Sequence, residues 1–315
     1  MVLRMPLEPE VQAMLKGMEE AGGPAISEMT PEVAREAFEA MLPLQGEPEV
    51  VGHVEDREVS GPGGAVKVRV YRPVGTVEPM PVLCFIHGGG WVLMGLDSHD
   101  PVCRALSNAG ACTVVAVDYR LAPEARFPAA VDDCFAVLKW ISEEAESLGV
   151  DSSRIAVGGD SAGGNLAAVM ALLSNRGDGP SLVGQVLHCP VTDYSFDTKS
   201  YRDNSDGYLL TQEAMRWFWA HYLGEGNDGS DALASPLQSE HLTGLPPALV
   251  QTAEFDPLLD EGRAYADRLL ESEVVVTYTE YSGVVHDPWL MFGVVPKGRQ
   301  SVDEAGAFLR RCFEG

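Results

Sequence analysis

Hydrophobic and polar positions change period near residue 53. Before it, Val11, Met14, Leu15 and Met18 fall at i, i+3, i+4 and i+7, one face of a helix. After the break Gly22-Gly23-Pro24, the run Thr30-Pro31-Glu32-Val33 reads as an N-cap with proline at the first helical position. From His53 the period becomes two. Val66, Val68 and Val70 alternate with Lys67, Arg69 and Tyr71, a half-exposed strand. Short apolar runs follow at Val82–Ile86, Thr113–Val117, Ile155–Val157, Val183–Leu187, Ala248–Val250 and Val274–Tyr278, separated by helical stretches at about 98–109, 128–147, 162–175, 258–271 and 299–312. Continuous apolar strands are covered on both faces. Their alternation with helices predicts an α/β fold, a mostly parallel central sheet flanked by helices on both faces.

Residues 195–235 interrupt this alternation. They are polar, then aromatic (Tyr208, Trp217, Phe218, Trp219, Tyr222), and predict helix instead of strand. The first fifty residues likewise have a stripe to bury but no strands. Both segments are expected to form a helical cap over the C-terminal edge of the strands, where sites in such sheets lie. The organisation expected is therefore 1–50 as one part of the cap, 51–194 as core, 195–235 as the second part and 236–315 as core continued.

Charge narrows the partners. With 22 basic and 47 acidic residues the net charge is −25, so phosphate backbones and anionic membrane surfaces are repelled. No apolar run approaches the roughly 20 residues that span a bilayer, and Met1–Glu10 lacks the basic-then-apolar order of a secretory leader. A cytoplasmic location is expected. The six cysteines (Cys84, Cys103, Cys112, Cys134, Cys189, Cys312) are scattered without a C-x-x-C pair, which reads as reduced core residues instead of disulfides or metal ligands. No metal or cofactor is expected. Only five of the basic residues are lysines, an acid-rich balance compatible with salt tolerance; stability that does not change from low to molar salt would refute that.

Four segments carry chemistry. Gly159-Asp160-Ser161-Ala162-Gly163 follows an apolar strand and opens a helix, the setting of a nucleophile elbow, in which glycines permit a tight turn and Ser161 Oγ projects above the helix N-terminus. There the Ala162 amide and the helix dipole can stabilise an oxyanion. His87-Gly88-Gly89-Gly90 follows the strand Val82–Ile86, and its exposed amides can approach a developing negative charge; His87 itself reads as structural. Of seven histidines only His286 follows the last strand, by way of an expected turn at Ser282-Gly283, as the order Ser, acid, His demands. The acid belongs to the loop after Ala248–Thr252. Asp256, followed by proline, is favoured there, with Glu254 and Asp260 as alternatives and Asp287 as a poorer one.

Jointly these motifs, with Asp118-Tyr119-Arg120-Leu121-Ala122-Pro123-Glu124, Phe127-Pro128-Ala129-Ala130 and Asp256-Pro257-Leu258 before Asp260-Glu261-Gly262, make the chain resemble the bacterial hormone-sensitive-lipase-like esterases of the α/β-hydrolase superfamily over nearly its whole length. The resemblance implies Ser161, His286 and Asp256 as catalytic triad, an oxyanion hole from the amides of Gly88, Gly89 and Ala162, a two-part cap, and short to medium acyl esters as substrates. The expected course is ping-pong through an acyl-enzyme, faster as the imidazole loses its proton. Trp91, Tyr194, Trp217 and Trp219 are candidate pocket residues. One departure stands out: the family's histidine is usually followed by glycine and an aromatic, whereas here the run is His286-Asp287-Pro288-Trp289. The Asp287 carboxylate is expected to raise the histidine pKa or reshape the pocket mouth. Homodimerisation through an exposed strand Val274–Tyr278 is a further expectation. A receptor-like protein holding a small acid under the lid is the competing reading, disfavoured by the intact catalytic positions.

Overall fold

The computed structural model describes residues 6–226 and 229–315. Residues 1–5 of the stretch read for a leader, and 227–228 of the second cap segment, lie outside the described residues. Eight strands, β1 (His53–Gly61), β2 (Gly64–Arg72), β3 (Met80–Ile86), β4 (Thr113–Asp118), β5 (Val150–Asp160), β6 (Gly184–His188), β7 (Ala248–Phe255) and β8 (Val276–Val285), form one sheet in the order β1-β2-β4-β3-β5-β6-β7-β8. The pairs β1–β2 and β2–β4 are antiparallel and all others parallel.

The helices are α1 (Pro9–Ala21), α2 (Pro31–Phe38), α3 (Asp100–Gly110), α4 (Ala129–Glu143), α5 (Ala162–Asn175), α6 (Lys199–Asp203), α7 (Gln212–Leu223), α8 (Leu259–Glu271) and α9 (Pro296–Glu314). One apolar cluster joins alternate side chains of the central strands to α4, α5 and α8; a second joins the opposite side chains to α3 and α9. Burial on both faces is the reason those strands are apolar without a break.

Strand and helix boundaries differ from the sequence reading where the chain could not announce them. Val274 and Val275 precede β8, which continues through Ser282 and Gly283 to Val285, so no turn separates the strand from His286. The neighbouring β7 likewise runs on to Phe255, past a register shift between Ala253 and Phe255 that brings Phe255 opposite Val285. A bulge of this kind bends the pair and re-aims its ends. Gly283 takes φ +72°, and its amide donates to Glu254 Oε2 at 2.8 Å. Among the described residues β8 has a strand partner on one side only.

The segment before β1 is helical as its period predicts. Thr30 caps α2, its hydroxyl accepting from the Val33 amide at 3.4 Å. Of the α1 stripe, Val11 is buried with Val284, Val285 and Met291, whereas Met18 is 41% exposed and lies outside the contact. α2 is fastened by Arg35. Its guanidinium donates to Val92 O, Ala122 O and both carboxylate oxygens of Glu124, at 2.8–3.0 Å. Within 195–235 the described residues form α6 and α7, and α7 packs against the turn Ile26–Glu28. No helix among the described residues is long and apolar enough to cross a membrane.

Candidate active site

β5 ends at Asp160 and α5 begins at Ala162, leaving Ser161 alone to make the turn at φ +52°, ψ −117°. A serine held there is strained by about 1–3 kcal/mol. Close packing enforces it. A β-carbon at Gly159 or Gly163 would stand 2.2 or 2.0 Å from Ile86 O, so both flanking positions exclude every side chain. The Ser161 amide donates to His188 O at 2.8 Å, and its carbonyl accepts from Asn165 and Val191 amides at 3.0 and 3.2 Å.

Three strand ends then converge. His286, just after β8, has Nε2 3.0 Å from Ser161 Oγ and Nδ1 2.7 Å from Asp256 Oδ2, just after β7. Asp256 Oδ1 accepts from the Leu258 amide at 2.9 Å, and its carbonyl from Asn204 Nδ2 at 3.0 Å. The carboxylate can only accept, so Nδ1 carries the proton and the Nε2 lone pair faces the serine hydroxyl. Asp256 is fully buried, whereas Ser161 and His286 keep 7% and 8% exposure. The serine and the histidine keep a trace of solvent contact, the acid none. The alternative acids are engaged elsewhere: Glu254 with the Gly283 amide, Asp260 with the Ser200 amide at 2.7 Å. Asp287 corrects an expectation. In a left-handed conformation (φ +55°, ψ +62°), its carboxyl turns inward to Asp160 and His188 instead of toward a pocket mouth.

The glycine-rich loop after β3 lies against this turn. A β-carbon at Gly88 would stand 2.1 Å from Asp160 Oδ2, and one at Gly90 would stand 2.1 Å from the Phe218 ring of α7. Gly89 and Gly90 take φ +97° and +59°. His87 serves structure. Its Nδ1 lies 2.8 Å from Gly88 O, its ring stacks on Tyr119 at 4.2 Å, and burial drives its pKa down to about 3. Phe218 stood in the sequence only as one aromatic of its segment, because seven other residues of α7 are also aromatic or apolar, and only the missing side chain at Gly90 singles it out.

The four aromatic pocket candidates separate. Trp91 and Trp219 are 0% and 1% exposed, with Trp91 stacked on Tyr222 at 4.1 Å and 4°. They pack inside the core and present no open surface, which overturns their reading as pocket walls. Tyr194 is 40% exposed and Trp217 half-buried, edge-on to Trp219 and to Phe218 respectively. A cavity of about 530 Å³ is lined by the apolar Phe38, Leu42, Met94 and Leu290 together with the charged Lys67, Arg69 and Asp118. None of its lining residues belongs to the run His87–Gly90 or to Ser161, Asp256 and His286.

Among the described residues, one trio of ligand-type side chains has donor atoms within 4.8 Å of one another: Cys189, Asp256 and His286. Asp256 and His286 already satisfy each other, and burial holds the Cys189 thiol well above its usual pKa. Such a neutral thiol is a poor metal ligand.

Residues 83–290 match the family model described as alpha/beta hydrolase fold. The carboxylesterase NlhH of Mycobacterium tuberculosis is 42% identical over 265 residues, 82% of this chain and 83% of that protein. An arylesterase of Saccharolobus solfataricus is 36% identical over 311 residues, covering 98% of this chain and 100% of its own. Among solved structures, the ester-hydrolase EH1AB1 from the metagenome of Lake Arreo, complexed with a bipyridine phosphonate derivative, superposes with a TM-score of 0.95 at 39% identity, covering 98% of this chain and 100% of that one.

Proposed function

This chain belongs to the alpha/beta hydrolase family, and from that premise we propose that it hydrolyses carboxylic esters of short to medium acyl length through a serine acyl-enzyme. The observation that carries the reading is the unbroken line from Asp256 through His286 to Ser161, with contacts of 2.7 and 3.0 Å. His286 Nε2 takes the Ser161 Oγ proton as Oγ attacks the ester carbonyl. The tetrahedral intermediate collapses, and the departing alkoxide takes that proton from Nε2. Water then repeats the sequence on the acyl-enzyme, returning Ser161 and releasing the acid. Asp256 holds the tautomer and stabilises the transient imidazolium.

Oxyanion stabilisation falls to the amides of Gly88, Gly89 and Ala162. In support, Ala162 is the first residue of α5, where main-chain N–H groups have no partner within the helix. The glycine loop is fixed against Asp160. Residues 1–50 and 195–235 act as a cap, a role supported by the packing of α7 on the turn Ile26–Glu28 and of Phe218 on Gly90. Tyr194 and Trp217 are the aromatic residues left to meet a substrate. The half-paired edge of β8 fits a homodimer, and net charge −25 disfavours nucleic acid and anionic membrane as partners. Six unpaired cysteines, five of them buried, fit a reducing compartment such as the cytoplasm.

The test is a panel of p-nitrophenyl esters from acetate to palmitate, run on the wild type and on Ser161→Ala. The expected result is a burst of p-nitrophenol with the shorter esters, no turnover in the variant, and inactivation of the wild type by a serine-directed organophosphate. Full turnover by Ser161→Ala would overturn the mechanism.

A further inference from the structure

Beneath the nucleophile, two buried carboxyl groups meet where one proton is missing. Asp160 and Asp287 are both almost fully buried and within hydrogen-bonding reach of each other. Each keeps its Oδ1 without a donor among the described residues. Asp160 Oδ2 is engaged, lying 3.1 Å from His99 Nε2 and against the Cα of Gly88. The Trp289 amide beside the Asp287 carboxyl favours its ionised form, the weakest of the influences on it.

The remaining neighbour, His188, has no proton to give. Gln251 Nε2 donates to Ser301 O and Glu304 Oε2, so its Oε1 must accept from His188 Nδ1, 2.9 Å away. The proton of neutral His188 therefore sits on Nδ1, and its bare Nε2 stands 3.5 Å from Asp287 Oδ1, beyond hydrogen-bond range. Burial, with the ring stacked flat on Trp289, pushes His188 down to about 3 and keeps it neutral.

We propose that Asp287 is held as a neutral carboxylic acid that donates its proton to Asp160, a one-proton clamp that positions the loop carrying His286 against the nucleophile elbow and the glycine loop. Two adjacent carboxylates in this setting would repel. Burial and then the charge of Asp160 drive Asp287 well above the usual carboxyl range. Burial also works to raise Asp160, but the His99 ring beside it, with the hydrogen bond to Asp287 and the nearby His188, holds it below its ordinary value. The other titratable groups facing the pair are His188 at the end of β6, Asp256 at the end of β7, His87 and Tyr119 beside the glycine loop, and the thiols of Cys103 and Cys189. None of them is positioned to supply the proton. Asp287 is a positioning residue: it touches no reacting atom. Its left-handed backbone explains why glycine is the usual occupant in the family resembled, and why Asp and Asn are the side chains best suited to it.

The inference rests on the esterase reading only for its catalytic arm, so the first measurement avoids catalysis. A carboxyl that is neutral when folded and ionised when unfolded binds a proton on folding, so stability falls as pH rises from the ordinary carboxyl range to the raised folded value. Asp287→Asn keeps the backbone preference and donates N–H to Asp160 without titrating. The folding equilibrium constant of the wild type relative to this variant, from urea unfolding over a pH series starting at pH 5, should fall as pH rises, by up to about tenfold per pH unit until the raised folded value is passed. Asp287→Gly, which suits the backbone but lacks the donor, should show the same trend and carries the test if the Asn variant does not fold. In ester hydrolysis, Asp287→Asn should retain most of kcat, while Asp287→Gly loses about tenfold or more in kcat with KM little changed. A ratio independent of pH, or an Asn variant as impaired in kcat as the Gly variant, overturns the proposal. Activity surviving in Ser161→Ala would overturn the esterase mechanism and leave the folding ratio as the measure of the clamp.

Discussion

Replacing Asp256 by asparagine separates hydrogen bonding from charge at the acid. The carboxylate now accepts from two donors at once, His286 Nδ1 at Oδ2 and the Leu258 amide at Oδ1. An amide has one oxygen to offer. If that oxygen stays on Leu258, the NH2 faces Nδ1, the imidazole proton moves to Nε2, and Ser161 Oγ meets a donor where it needs an acceptor. If the oxygen turns to His286, the tautomer is right but the NH2 faces the Leu258 amide in a fully buried site, at a cost of about 1–3 kcal/mol. Reaction through this second form also forgoes the charge-assisted bond to the imidazolium, about 1.5–3 kcal/mol. The two together raise the barrier by about 3–6 kcal/mol, which is about 10²- to 10⁴-fold in kcat at 1.36 kcal/mol per tenfold. The assay is kcat for p-nitrophenyl acetate on Asp256→Asn and wild type, with thermal unfolding to establish that the variant is folded. A folded variant within tenfold of wild-type kcat would refute the assignment of Asp256 and the tautomer argument together.

Gly88→Ala should lose at least about 100-fold in kcat/KM, the worth of one oxyanion donor, because its β-carbon would stand 2.1 Å from Asp160 Oδ2 and the loop must move; steady-state kinetics on a short-chain ester checks this. Trp91→Ala should act on stability, costing about 3–5 kcal/mol in urea unfolding, since the ring is wholly buried against Tyr222 and Trp219. A change confined to acyl-length preference, with stability intact, would restore Trp91 as a pocket residue. Arg35→Met should release α2 and speed proteolysis between residues 31 and 45 at neutral pH. Glu124 is lowered to about 2 by its hydrogen bonds to Arg35. The pair therefore contributes above the ordinary carboxylate range, and its contribution is lost as pH falls toward about 2; the difference in cleavage rate between variant and wild type should shrink over that interval.

Much of this arrangement was legible because local chemistry and long-range structure agree. The strands are apolar because both their faces are covered, and the elbow glycines are demanded by Ile86 O lying where a side chain would be. Chain order alone isolated His286 among seven histidines. Other features depend on contacts between segments distant in sequence. The extension of β7 and β8 past a bulge needs Phe255 opposite Val285, and neither run looks long enough by itself. Aromatic residues carry no mark that distinguishes core from pocket: Trp91 and Trp219 became core because they pack on each other and on Tyr222, whereas Phe218 reached the glycine loop. The inward turn of Asp287 follows from one backbone torsion that its neighbours in sequence do not reveal.

The order of the strands also sets when this molecule can first act during synthesis. Ser161 follows the middle strand β5, but its two partners follow β7 and β8, the last two of these eight strands in chain order, and α9 after them covers one face of the sheet together with α3. A nascent chain that has emerged as far as β6 exposes a hydroxyl with nothing to deprotonate it. On the triad proposed above, reactivity requires β8 to be docked beside β7, so turnover by a refolding sample counts only molecules in which that strand is in place.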